Sequence, residues 1–81
     1  MLKVSVISPE RVLFEGEVDS VVAPAFDGEV GILPAHAPMM TLLGKGTLRL
    51  GGRAGAFQVE GGFLQVIDNH VRVVTEKAAE A

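Results

Sequence analysis

Asp27-Gly28-Glu29-Val30-Gly31-Ile32-Leu33-Pro34-Ala35-His36-Ala37-Pro38 is the run whose reading settles what kind of fold this chain can have. Gly28, Gly31, Pro34 and Pro38 fall within it, and glycine and proline are both expelled from helix interiors. The run therefore reads as a hairpin signal at Asp27-Gly28, a short strand over Glu29 to Leu33, and a corner stiffened by Pro34 and Pro38. Glu29 and His36 are its chemically distinctive side chains. One reading makes Glu29 a solvated strand residue and His36 the filler of the corner. The other makes them an interaction surface, because a rigid corner is a common place for function. Seven residues apart with a strand between, they are expected at the same end of the domain.

Outward from this run, hydrophobic alternation with a period of two dominates. Leu2, Val4 and Val6 alternate with Lys3 and Ser5 over Met1 to Ser8, and Pro9 ends that strand. A short strand follows over Arg11 to Phe14, then a turn signal at Glu15-Gly16 and a strand over Glu17 to Val22 closed by Pro24. Beyond the corner, Met39 to Leu43 has no helical stripe and is closed by Gly44 and Gly46, so it reads as strand. Thr47 to Leu50, Ala56 to Glu60, Phe63 to Ile67 and His70 to Thr75 are further strands. Turns fall at Gly51 to Gly55 and Asp68-Asn69, with a bend at Gly61-Gly62. About nine short strands at this spacing predict an all-β fold, a sandwich or small barrel. Only the tail, Glu76 to Ala81, has helix-forming composition, and it is too short to form a stable helix alone.

The 81 residues make one domain with a modest core. No cysteine is present, which removes disulfides and thiolate metal sites. Hydrophobic residues are 48%, and the ten glycines bring the apolar share to about 60%, above the roughly 45–50% of an average domain. Either one face is apolar and covered by a partner, or the chain is a tightly packed sandwich rich in valine and glycine. The net charge of −3, with scattered basic residues, argues against nucleic-acid binding. No apolar run approaches the ~20 residues that span a bilayer, and the N-terminus lacks the apolar segment of a signal peptide. These features predict a soluble protein of the cytosol or an equivalent space.

Catalytic motifs are weak. Ser5, Ser8 and Ser20 stand in strand-like sequence, and none sits in a G-x-S-x-G elbow. Gly44-Lys45-Gly46-Thr47 lacks the spacing of a phosphate-binding loop and reads as a hairpin turn. His36 and His70 show no metal-ligand spacing with each other or with Glu29 or Asp68. Met39 and Met40 are either core filler or part of an adaptable binding face.

Taken together in order, Ser8-Pro9-Glu10, Phe14-x-Gly16-Glu17-Val18, Pro24, Asp27-Gly28-Glu29-x-Gly31-Ile32-Leu33-Pro34-x-His36-Ala37-Pro38, Gly46-x-Leu48, Gly61-Gly62-Phe63-Leu64-x-Val66 and Asn69-x-Val71-x-Val73 form a specific set. The chain closely resembles the epsilon subunits of bacterial and chloroplast F-type ATP synthases, called delta in mitochondria, from residue 2 to about residue 78. The resemblance implies a flattened β-sandwich of two roughly five-stranded sheets over residues 1–76, and a tail over 77–81 where a helical hairpin would begin. It implies a non-catalytic rotor subunit that binds the gamma subunit and the ring of c subunits and couples proton translocation to ATP synthesis. Such a subunit is held peripherally at the cytoplasmic face of the bacterial plasma membrane, through the complex alone and without a cofactor. By the same resemblance Glu29, Val30, Gly31, Ile32 and His36 face the c-ring, and Ser8, His36, Met39 and Met40 face gamma. Epsilon subunits mostly continue into a two-helix hairpin that can inhibit ATP hydrolysis. A chain ending at Ala81 is expected to lack that inhibition and any nucleotide site. The isolated domain is expected to self-associate through the gamma-binding face at high concentration.

Two readings from other classes stand beside this one. A small metal-dependent enzyme of cupin-like type requires His36 and His70 to converge on a polar pocket. A free-standing adaptor requires an exposed face for an unrelated partner.

Overall fold

The computed structural model describes residues 1–52 and 55–80. Eight strands follow one another: β1 (Leu2–Ile7), β2 (Val12–Val18), β3 (Val21–Ala25), β4 (Gly28–Ile32), β5 (Met39–Leu42), β6 (Lys45–Leu50), β7 (Gly55–Ile67) and β8 (His70–Glu80). No helix occurs among the described residues. The strands form one hydrogen-bonded path in the order β2-β1-β8-β7-β6-β3-β4, with β5 joined to β7.

That single path folds into two layers because β7 and β8 are long and bend together. β5 and β6 lie on β7 in one shared register, Leu42 opposite Phe63 and Lys45 opposite Glu60. Between those pairs, Leu43 N–H donates to the Gly62 carbonyl at 2.9 Å and Gly61 N–H to the Gly44 carbonyl at 3.4 Å. On its other side β7 keeps β8 through the same corner, with Glu60 opposite Lys77 and Gly62 opposite Thr75. The bend requires glycine at position 62. Its φ is 98°, and a β-carbon there would overlap the Val74 carbonyl oxygen.

The first layer holds β2, β1, the start of β8, the end of β7, and β5. The second holds β4, β3, β6, the start of β7, and the end of β8. The described strands are thus one eight-stranded sheet rather than the two separate, roughly five-stranded sheets expected; only with β7 and β8 counted in both layers does each layer have five, in a body of 28 × 25 × 18 Å. Leu2, Val4, Val6, Leu64, Val66, Val71 and Val73 of the first layer are buried in one cluster with Val21, Ala23, Ile32, Leu48, Leu50, Phe57 and Val59 of the second. Alternate strand residues reach this core, and each large side chain fully buried there is worth roughly 1.5–3 kcal/mol. Thr75 is the one buried polar residue among those described, and its hydroxyl donates to the Lys77 carbonyl at 2.9 Å.

The structure redraws several sequence boundaries. Glu15-Gly16 is not a turn: both lie inside β2, which pairs continuously with β1 from Phe14 to Val18. The strand expected over Glu17 to Val22 is divided at Asp19-Ser20 between β2 and β3. Pro24 stands inside β3 and does not close it. The two strands expected over 56–60 and 63–67 are one bent strand, so there are eight rather than about nine. Glu76 to Glu80, helix-forming by composition, continue β8 against Phe57–Glu60. Of the turn expected over Gly51 to Gly55, Arg53 and Ala54 lie outside the described residues, as does Ala81.

Candidate interaction surfaces

The outer face of the first layer is ordered in rows across its strands. Leu42 pairs with Phe63, Phe63 with Val74, Val74 with Ile7, and Ile7 with Val12. This makes an apolar stripe across all five strands, close to the corner. Leu42 is 62% exposed and Val12 55%, so the stripe meets solvent at both ends. The next row is Met40, Gln65, Arg72, Ser5 and Glu15, and beyond it lie Ile67, His70, Lys3 and Glu17. The face therefore grades from apolar at the corner to charged at the far end.

Met40, 64% exposed, stands beside this stripe on β5. Its neighbour Met39 turns inward and packs on the core, as period-two alternation requires. Ser8 lies at the opposite edge, immediately after Ile7. Its Oγ donates to the Arg11 carbonyl at 3.2 Å and accepts the Arg11 N–H at 3.3 Å, which closes the β1–β2 turn.

The second surface is β4 with the corner after it. Glu29 and Gly31 are exposed, Val30 packs partly on the core, and Ile32 is fully buried. The Ile32 side chain thus holds the strand from inside. After Leu33, which is 63% exposed, the chain turns at Pro34-Ala35. Ala35 has a φ of 68°, an unusual conformation for a residue with a β-carbon. It is fixed by its N–H donating to Asn69 Oδ1 at 2.6 Å. Asn69 sits in the β7–β8 turn, where Asp68 and Asn69 both have positive φ, 48° and 62°, as a two-residue type I′ hairpin needs. The Asn69 carbonyl also accepts the Lys3 N–H at 2.8 Å. One asparagine thereby joins the corner, the hairpin and the first strand. His36 is half-buried, and its Nδ1–H donates to the Ala37 carbonyl at 2.7 Å.

Glu29 and His36 are not brought together. Glu29 lies opposite Pro24 at the hairpin end of β4, while His36 follows the other end of that strand, in the loop tied to Asn69. His70 stands on the outer face of the first layer, with Nε2 3.5 Å from Ser5 Oγ. Among the described residues no three His, Cys, Asp or Glu side chains come together as metal ligands. The hollow beside His70 is shallow and is lined by Lys3, Gln65, Ile67, Asp68 and Arg72. The metal-enzyme reading therefore has no ligand set among the described residues. Sequence reasoning missed the apolar stripe, since Ile7, Val12, Phe63 and Val74 are far apart in the chain and only the strand pairing aligns them.

The chain is of the class of small two-layer β-sandwich domains, with its distinctive side chains on the outer surfaces. The family model for the ATP synthase delta/epsilon chain β-sandwich domain matches residues 1–81. The chain belongs to this family, that of a non-catalytic subunit of the ATP synthase. It is 49% identical over 80 residues to the ATP synthase epsilon chain of Leptospira interrogans, covering 96% of this chain and 63% of that protein. It is 44% identical over 82 residues to the epsilon chain of Caulobacter vibrioides, covering 99% of this chain and 95% of that one. The fold is also that of a chain in the mitochondrial ATP synthase of Euglena gracilis, at a TM-score of 0.86 and 21% identity, over 98% of this chain and 52% of the other. The chain thus spans less than two thirds of the length of the Leptospira relative.

Proposed function

We propose that this chain acts as a rotor component of an F-type ATP synthase, placed between the gamma subunit and the c-ring and coupling proton translocation to ATP synthesis. The observation that carries this reading is the apolar stripe from Leu42 to Val12, flanked by Met40 at one edge and Ser8 at the other. A stripe of large apolar side chains across a whole sheet, half-buried in the middle and exposed at both ends, is what a permanent partner covers. Gamma is that partner in this reading, with Met40 and Ser8 marking the limits of its footprint and His36 at its margin. Met39 contributes by seating Met40. The c-ring faces β4, with Glu29 and Gly31 outermost, Val30 and Ile32 behind them, and His36 at the corner. The Glu29 carboxylate pairs with basic or amide groups, which gives orientation more than affinity. Membrane association at the cytoplasmic face is through the complex, and no nucleic acid or cofactor takes part. Without gamma, the same stripe drives self-association at high concentration.

Calorimetric titration of the chain into its cognate gamma subunit, beside Met40→Asp, tests the reading. The expected result is tight binding by the unaltered chain and at least tenfold weaker binding by the variant, whose exposed position leaves folding intact. Absence of binding to a competent gamma overturns it.

A further inference from the structure

Among the charged residues on the outer face of the first layer, Arg72 has a setting of its own. Lys3 stands directly opposite Glu17 on β2 and beside His70 on β8. Arg72 stands between Gln65 on β7 and Ser5 on β1, neither of which carries a charge. Its diagonal neighbours on those two strands are Phe63, Ile67, Lys3 and Ile7. The carboxylate in its own row, Glu15, is two strands away, about 10 Å at the usual strand spacing. Asp68 borders the same hollow, but the row of His70 and Lys3 lies between it and Arg72. Arg72 is thus an exposed guanidinium with no carboxylate directly or diagonally beside it on the adjoining strands.

It also borders the apolar stripe. Val74, two residues along β8 on the same face, is a member of that stripe, flanked by Phe63 and Ile7. A partner that covers the stripe takes water from Arg72 as well, and a charge so desolvated is costly unless it is paired. The row around Arg72 supplies what a carboxylate requires. Gln65, Arg72 and Ser5 place an amide, a guanidinium and a hydroxyl on three adjacent strands of one face. The planar fork of arginine bonds both oxygens of a carboxylate at once, which a lysine ammonium does not.

We infer that Arg72 binds a carboxylate side chain of the gamma subunit, with Gln65 as a second donor, and that this pair sets the orientation of gamma on the stripe. The inference rests on the rotor reading, in which gamma covers the stripe. Apolar contact alone is non-directional and holds a partner in more than one setting. A single ion pair to one side of the stripe selects among those settings, because every other one leaves the guanidinium covered and unpaired. Arginine at the border of an apolar patch is also a common site of concentrated binding energy. Arg72 is therefore the specificity-determining residue of this face, beside the apolar residues that supply its area.

Calorimetric titration into the cognate gamma subunit, with Arg72→Gln, Arg72→Lys and Lys3→Gln beside the unaltered chain, tests this. Arg72 and Lys3 are both exposed, so the variants keep the fold, and their urea midpoints check it. Arg72→Gln should weaken binding roughly tenfold or more, and Arg72→Lys should recover only part of the loss. Lys3→Gln removes the same charge from the same face, next to Glu17, and should change binding by less than about twofold. Equal losses from Arg72→Gln and Lys3→Gln would mean general charge attraction and would overturn the inference. If Arg72→Gln binds like the unaltered chain while Met40→Asp binds weakly, the inference falls and the rotor reading stands. If the unaltered chain does not bind a competent gamma, the rotor reading falls and this inference with it.

Discussion

At the residue scale, the left-handed conformation of Ala35 is the most informative local feature. Such a φ costs an alanine roughly 1 kcal/mol, so something outside the loop must hold it. That something is Asn69, reached across the molecule through one short hydrogen bond. Asn69→Gly keeps a residue comfortable at positive φ but removes the acceptor. It should cost about 1 kcal/mol and raise the exchange rate of the Ala35 amide, whereas Asn69→Asp, which keeps the acceptor, should leave that amide protected. Part of this was legible in the sequence. Asp68-Asn69 reads as a tight turn from its residue types, and Pro34 and Pro38 announce a corner. The bond between the two was not legible, because 34 residues separate them. Pro24 misled for a related reason. A proline ends a strand only where its missing N–H is needed, and the side of β3 that Pro24 addresses uses its carbonyl alone, for Gly44.

At the scale of the elements, the corner of β7 decides the architecture. Gly62→Ala should lower stability by about 2–3 kcal/mol, since both the φ of 98° and the overlap with Val74 oppose a β-carbon; urea unfolding measures it. Gly31→Ala, with open space and an ordinary φ, should stay within about 0.5 kcal/mol in the same measurement. Gly61-Gly62 signalled a bend in the sequence. It could not signal that the strand continues through it, which depends on β5, β6 and β8 all bending at the same level. Gly16 was misread as a turn residue for want of its neighbour: a β-carbon there would come within 3.2 Å of the Phe14 ring, so the glycine makes room for packing inside β2. Glu76 to Glu80 show pairing with β7 overriding helical composition. The separation of Glu29 from His36 is also an element-level fact, set by the length of β4.

For the whole molecule, shared strands predict a single cooperative transition. Neither layer has a complete set of partners without β7 and β8, and the core is one cluster drawn from both. Calorimetric and van't Hoff enthalpies of unfolding should therefore agree, near 50–60 kcal/mol at the midpoint for a chain of this size. A van't Hoff value well below the calorimetric one would mean that the layers melt separately. The all-β class was readable from alternation and turn spacing, and the family from the ordered motifs. The outer stripe was not, because only the registers of four strand pairings align its members.

The corner where three strand lines bend together acts as a spine. The two layers are bound along it by covalent chain, not only by side-chain contact, so one cannot slide over the other without stretching the backbone. Opening at the far end resists only through the apolar contacts between layers and ties such as Asn69. The body is therefore stiff to sideways load and more compliant to prying. In the rotor role proposed above, a part that passes a twisting load from one neighbour to another would use that anisotropy, which follows from how far two strands run.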